Sequence, residues 1–321
     1  MHIDLAMSVA GLIVGVVVGL TGMGGGALMT PILVLFFHTN PAAAVSSDLV
    51  ASLFMKPIGG TIHWRRATVH KGIVKWLLAG AVPAAFAGVF VINALGGKTA
   101  ADRIKVLLGV ALVIAFAAMV LREFVAHMGA AADDEGLGDP VHRLATLAVG
   151  VIGGLIVGMT SVGGGSIMIV ALMWMYPRLS NRVLVGTGLV QAIPLVGSAA
   201  LAHLLFGDVQ FGVTTSLLIG AIPGVYVGAQ ISSRTTASWL RPLLAAVLLA
   251  SALKLLSVPS LVTGGVALVA AVVLLVLPRI VRRLRSVAMP TQTSADTITL
   301  PTSVPATGAS SRETASGANL R

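Results

Sequence analysis

Long apolar runs separated by short polar or basic connections make up almost the whole chain. They fall at Ala6–Phe37, Ala42–Trp64, Gly72–Leu95, Ile104–Leu121, Leu144–Tyr176, Val183–Phe206, Gly212–Ile231, Ala237–Leu256 and Leu261–Leu277. Most are close to the roughly 20 residues an α-helix needs to cross a hydrocarbon core of about 30 Å. The first and fifth runs are longer, and a glycine run interrupts each. The pattern predicts an all-α polytopic membrane protein. Beyond the last span, Val287–Arg321 is rich in Thr, Ser, Ala and Pro, the composition of a disordered tail.

The chain also repeats itself. Gly11–Met29 reads GLIVGVVVGLTGMGGGALM and Gly150–Met168 reads GVIGGLIVGMTSVGGGSIM. Gly11, Gly15, Gly19, Thr21 and Gly24–Gly26 coincide with Gly150, Gly154, Gly158, Thr160 and Gly163–Gly165. The match continues one residue out of step through Val45/Val185, Leu49/Leu189, His63/His203, Gly72/Gly212, Gly80/Gly220, Pro83/Pro223 and Gly88/Gly228. A His pair and a Pro pair in one register are more than glycine-rich composition supplies, so a duplication is expected. The predicted organisation is an N-terminal repeat (1–121), an acidic solvated linker (122–143), a C-terminal repeat (144–257), an extra span with a basic anchor (258–286) and the tail (287–321).

Composition narrows the class. Of the 321 residues 56% are hydrophobic and 10% charged, against about a quarter charged in a soluble domain. With no cysteine, disulfides, thiolate metal sites and a Cys nucleophile are excluded. The net charge of +10 is read as loop-borne orientation signal rather than nucleic-acid binding. No Lys or Arg precedes the first apolar run, so it reads as a retained segment rather than a signal peptide. Arg279, Arg282, Arg283 and Arg285 directly follow the last span and place the C-terminus in the cytoplasm. If each glycine-broken segment is a hairpin, Arg65, Arg66, Lys71 and Lys75 also lie inside, and fewer basic residues fall on the wrong side than if it crosses once. Ala6–Thr21 would reach only about 24 Å as a helix, short of a full crossing. Inverted repeats in the inner membrane, with the N-terminus outward, are therefore expected.

Glycine runs at membrane depth break the helix and expose backbone N–H and C=O groups, which is tolerable only where protein or a cavity covers them. The half-helix after a break points its N–H groups inward, an anion-binding element. Paired discontinuous helices in inverted repeats commonly hold a transporter's substrate. Gly24, Gly25, Gly26, Gly163, Gly164 and Gly165 are read as such a site. Gly11, Gly15 and Gly19, with Gly150, Gly154 and Gly158, are spaced by four and are read as helix-packing positions. Gly22–Ala27 formally fits a dinucleotide-binding pattern, but apolar helix flanks it and Ser161 replaces the first glycine in the second copy.

Other polar residues in the apolar runs are candidates. Thr21, Thr160, Ser161 and Ser166 flank the breaks. Ser47 matches Thr187, and Thr187 shares a helix face with Gln191. Each suits an oxyanion or a helix cap, and the sequence leaves both open. Asp48 and Lys56 are the acid and base within one apolar run. Charges at depth pair or serve function. Eight residues apart they lie about 80° apart on a straight helix, so direct pairing needs a bend at Pro57 or Gly59. Lys56 could instead neutralise an anionic substrate or snorkel outward. Asp48, His63 and His203 are the candidates for proton coupling, with an interfacial hydrogen-bonding role as the alternative for the histidines.

The duplicated arrangement resembles the TauE/SafE sulfite-exporter family. The resemblance rests on Gly15–Pro31 with its Gly22–Gly26 core, on the copy at Gly154–Met168, on Ala44–Ser47, and on His63 followed by Gly72, Gly80 and Gly88. It covers roughly Ser8–Leu256. It implies a cytoplasmic-membrane permease for sulfite or organosulfonates. Asp48 stands where family members commonly carry a small hydroxylated residue, and Val170 replaces the proline expected opposite Pro31. The expected function is secondary export of a small sulfur-containing anion by alternating access, the breaks and nearby hydroxyls holding the anion at the midplane while the two repeats rock to expose it to each side. Partners would be that anion and the lipid bilayer, with no cofactor, no metal and no nucleic acid; a homo-oligomer is compatible with the sequence. A cation or metal exporter is the alternative, disfavoured by the scarcity of carboxylates in the spans. An intramembrane enzyme is disfavoured because no catalytic set stands at local spacing. A scaffold has no reason to break its spans.

Overall fold

The computed structural model describes residues 4–21, 25–65, 69–94, 100–128, 140–164, 166–234 and 240–288. Among them the chain forms eleven α-helices and no strand. The first five are α1 (Leu5–Thr21), α2 (Gly26–Leu35), α3 (Pro41–Arg65), α4 (Lys71–Ala94) and α5 (Ala100–Met128). The next five are α6 (Arg143–Thr160), α7 (Ser166–Met175), α8 (Asn181–Phe206), α9 (Phe211–Arg234) and α10 (Leu240–Leu255), followed by α11 (Ser260–Ala288). Five described segments are long and apolar enough to cross a membrane: Lys71–Ala94, Ala101–Leu121, Arg143–Thr160, Gly186–Phe206 and Phe211–Ile231. Most of the helices belong to one compact unit, Met1–Leu277; a second, Pro278–Arg321, holds the end of α11.

Two helix ends differ from the sequence expectation. The segment Arg122–Arg143 was expected to be loop throughout, yet α5 runs on through Arg122–Met128 and Arg143 opens α6. Nothing in 122–128 stops a helix, and the first breaker is Gly129. The acidic residues Asp133, Asp134, Glu135 and Asp139 lie outside the described residues. Likewise α11 passes the expected tail boundary at Val287 and ends at Ala288, two residues before Pro290, where a helix is disfavoured. The tail from 289 onward lies outside the described residues.

Glycine decides which helices meet. A Cβ at Gly11 would lie 2.6 Å from the Leu217 carbonyl oxygen, and one at Gly15 would lie 2.5 Å from that of Ala221. Gly19 abuts the Val225 carbonyl in the same way. The contacts advance together along α1 and α9, so the two helices run parallel with backbone against backbone. Gly150, Gly154 and Gly158 abut the carbonyls of Leu77, Ala81 and Ala85 on α4. Thus α6 runs parallel to α4 with the same spacing of four. Facing glycines Gly220, Gly224 and Gly228 on α9, and Gly80 and Gly88 on α4, deepen both seams.

Side-chain contacts fix the other directions. Ser198 on α8 donates to the Val82 carbonyl at 2.7 Å, and Asn93 on α4 donates to that of Phe206 at 3.0 Å, so α4 and α8 are parallel. Since α6 and α8 both run with α4, α7 between them must run back. Tyr176, just after α7, indeed meets the start of α6. Its hydroxyl accepts from the His142 N–H at 3.0 Å and lies 2.6 Å from Thr146 Oγ1. In contrast, α3 and α8 are antiparallel: Ser46 meets His203, and Leu53 meets Gly197. At the start of α3, Ser47 accepts from the Gln210 N–H that opens α9, and α3 packs along α9. Consequently α1, α3 and α9 share a direction and α2 also returns. Met29 and Leu33 of α2, Leu49 of α3, Leu108 of α5, Met168 and Leu172 of α7 and Leu195 of α8 are among the largest fully buried side chains.

Replacing Gly15 or Gly154 by Val should lower the thermal-unfolding midpoint of the detergent-purified protein sharply. Overpacking costs about 1–3 kcal/mol even where side chains can yield, and backbone yields less. Gly264 has nothing within 4 Å of its Cβ position, so Gly264→Ala should leave the midpoint unchanged or slightly raised.

Candidate functional site

The tips of the two hairpins meet. Gly26, the first residue of α2, abuts the Ser161 carbonyl so closely that a Cβ there would collide with backbone. Ser161 caps α6 in the left-handed region (φ 58°), uncommon for a residue with a side chain, and its N–H bonds the Val157 carbonyl at 2.7 Å. Gly163 follows at φ +96°, a conformation that favours glycine. Such a turn lets α6 end and α7 start within a few residues.

Helix α3 crosses both tips. The Asp48 carboxylate is fully buried, and its Oδ2 accepts from Thr30 of α2 at 2.8 Å and from Ser161 at 2.7 Å. One oxygen therefore ties the first hairpin, the second hairpin and α3 together. Its other oxygen, Oδ1, has no partner, nor has Ser52 Oγ one turn on. Both lie near Gly25, whose Cβ position is 3.5 Å from Ser52 Oγ and 3.7 Å from Asp48 Oδ1. One further turn along, the Lys56 Nζ lies 3.6 Å from the Cβ position of Gly164. From the opposite side, Gln191 of α8 donates to the Gly164 carbonyl at 2.7 Å, and its own Oε1 is buried without a partner.

The structure sorts the sequence-derived candidates. Gly25, Gly26, Asp48, Lys56, Ser161, Gly163, Gly164 and Gln191 gather around the tips. The Thr21 and Thr160 hydroxyls donate back to the carbonyls of Val17 (2.8 Å) and Ile156 (2.6 Å) on their own helices. Ser47 and Thr187 take the capping alternative: Ser47 accepts from the Gln210 N–H at 3.3 Å and Thr187 from the His70 N–H at 3.0 Å, at the starts of α9 and α4. His203 is buried within the protein. Its Nε2 donates to the Gly158 carbonyl at 2.8 Å, and its Nδ1 lies 2.8 Å from Ser46 Oγ. Gly24 and Gly165 lie outside the described residues, as do the side chains of Ser166 and His63. The bend suggested for an Asp48–Lys56 pair does not bring them together: α3 continues through Pro57, and the ion pair among the described residues is Lys105–Asp102 at 3.7 Å.

Two contributors escaped the sequence reading. Thr30 carries no signal beyond being a hydroxyl near a break. Ser52 does carry one, because it stands four residues after Asp48 and shares its helix face.

A family model described as "Sulfite exporter TauE/SafE" matches residues 7–255, from α1 to the end of α10. The chain belongs to this family. Among its relatives, the "Probable membrane transporter protein YjnA" of Bacillus subtilis (strain 168) is 32% identical over 255 residues, covering 79% of this chain and 100% of that protein. The "Probable membrane transporter protein YdhB" of the same organism is 25% identical, covering 69% of this chain and 87% of its own. The "Probable membrane transporter protein MJ0441" of Methanocaldococcus jannaschii is 27% identical, covering 75% and 90%. No solved structure matches. With its long apolar helices, this TauE/SafE protein is a multi-pass membrane transporter.

The two glycines of the first tip should behave differently. Gly26→Ala collides with the Ser161 backbone and should lower the unfolding midpoint and the yield of folded protein. Gly25→Ala meets only the mobile end of Met55, at 2.7 Å, and should fold as the parent does. Thermal unfolding and size-exclusion profiles of the two variants check this.

Proposed function

We propose that the protein is a secondary exporter of a small sulfur-containing anion, sulfite or an organosulfonate, and not an enzyme. The anion would be held where the hairpin tips meet and exposed to each side in turn. The observation that carries this reading is Lys56: its ammonium stands against Gly164, at the tip of the second hairpin. Together with the start of α7, it provides positive charge and N–H donors for one small oxyanion. Charge-assisted hydrogen bonds of this kind are shorter and about twice as strong as neutral ones.

The broken helices belong, on this reading, to two inverted repeats, with the N-terminus outward and the C-terminus in the cytoplasm. The antiparallel run of α3 and α8 supports inversion, since these are corresponding helices of the two copies. So does a reciprocal pair of caps: Ser47 with Gln210, and Thr187 with His70, exchange partners when 140 is added to or subtracted from each number. Hairpins entering from opposite faces and meeting tip to tip would place the substrate at mid-depth, as in other inverted-repeat transporters. The inner membrane fits the arginines that end α11.

Efflux from proteoliposomes loaded in turn with sulfite, sulfate, sulfoacetate and a divalent metal tests the function. Saturable efflux of sulfite or the sulfonate is expected. Lys56→Met should raise KM for the anion at least about tenfold, the lower end for losing a hydrogen bond to a charged group. Gly164→Leu should abolish efflux in protein that still folds. Flat traces for all the anions from reconstituted protein, or unchanged efflux by both variants, would overturn the assignment.

A further inference from the structure

The oxygen-lined end of the site has a different character from the end at Lys56. Asp48 and Ser52 are 0% and 1% exposed, yet Asp48 Oδ1 and Ser52 Oγ have no partner. Ser52 stands close enough to the carboxylate to interact with it, but neither atom completes a hydrogen bond, and buried polar atoms left so are costly enough to call for a ligand. Asp48 Oδ1 and Ser52 Oγ lie together beside Gly25, and the hydroxyls of Thr30 and Ser161 bond the other oxygen of the same carboxylate, Oδ2. Thr30 and Ser161 donate to Oδ2 but keep their lone pairs free. Met55 closes the spot on an apolar side.

The α6 end of the spot favours a cation. Ser161 caps the C-terminal end of α6, where the helix dipole is negative, and Asp48 adds a carboxylate there. Lys56 makes no ion pair with Asp48 and stands instead at Gly164. An anionic substrate would be repelled by the Asp48 carboxylate, so Oδ1 does not suit the anion itself. Oxygen-only ligand sets with one carboxylate suit hard cations. Interrupted helices in transporters place coupling ions at such helix ends.

We propose that Asp48, Ser52, Thr30 and Ser161 form a binding site for a hard monovalent cation, Na⁺, that is loaded beside the anion and coupled to its transport. The inference rests on the hairpin tips being the transport site, but its ligand and its residues are separate from the anion's. Asp48 and Ser52 both come from α3; the corresponding residues of α8 are Gly188 and Ala192, so the second copy offers no equivalent cation site.

The test is thermal unfolding of the purified full-length protein in NaCl against choline chloride at equal ionic strength. Na⁺ should raise the midpoint saturably, as any ligand selective for the folded state does. Ser52→Ala should move the half-maximal Na⁺ concentration up at least about fivefold, one hydrogen-bond-sized ligand contribution, with its midpoint in choline unchanged. Asp48→Asn should abolish the response; if that variant fails to fold, Ser52→Ala still decides. No Na⁺ response in the wild type, an unshifted Na⁺ midpoint in Ser52→Ala, or a response that follows pH alone in choline would overturn the proposal, the last in favour of a proton. Anion efflux in choline alone would separate the outcomes: it leaves the exporter reading standing while the coupled cation falls.

Discussion

The stem of each hairpin lies with its backbone directly against another helix, and no side chain fits between them. Six glycines in two rows of three make this approach possible, and every other feature of the interior follows from it. Close approach along α1 and α9 and along α4 and α6 fixes where each stem ends, hence where the glycine runs fall. At the tips, Gly26 at the start of α2 meets the backbone of Ser161 at the end of α6, so these two helix ends are covered by protein. In a bilayer interior that cover is what permits a helix to be broken at all.

Where the tips meet, local demands differ from one residue to the next. Gly26 must be glycine because of a carbonyl opposite, Gly163 because of its φ of +96°. Gly25 and Gly164 face side chains, so their small size leaves room for something else. The polar groups divide the same way. The hydroxyls of Thr21, Thr160, Ser47 and Thr187 are taken up by helix carbonyls or by N–H groups at helix starts. The Asp48 carboxylate, the Ser52 hydroxyl and the Gln191 amide are not wholly satisfied by the protein. A buried polar atom without a partner is expensive enough to be rare, and three of the four among the described residues, Asp48 Oδ1, Ser52 Oγ and Gln191 Oε1, belong to this neighbourhood.

Much of this was legible in the residues. Gly11, Gly15 and Gly19 announce a packing face by their spacing alone, and so do Gly150, Gly154 and Gly158. Apolar runs ended by polar or glycine residues gave helix positions to within a few residues, except where 122–128 and the end of α11 contain no residue that stops a helix. Function of a hydroxyl was less legible, because serine and threonine bond equally well to a carbonyl one turn back, to a helix start or to a ligand. Ser47 and Thr187 could be separated from Ser161 only once the partners Gln210, His70 and Asp48 were in place. Thr30 was invisible for the same reason. Lys56 and Asp48 were noticed as charges, but their shared helix suggested a pair that their separate neighbours do not allow.

The two glycine seams also govern how the molecule can move. Each seam joins a hairpin stem from one half of the chain to the fourth helix of the other half, α1 with α9 and α6 with α4. A rotation of one half against the other would drag carbonyl over carbonyl along both seams at once, with no flexible side chain to absorb the displacement. The mechanically stiff bodies are therefore mixed, each containing pieces of both halves. Any motion in the proposed transport cycle then has to carry each stem together with its partner helix, rather than part the two halves of the chain like a book.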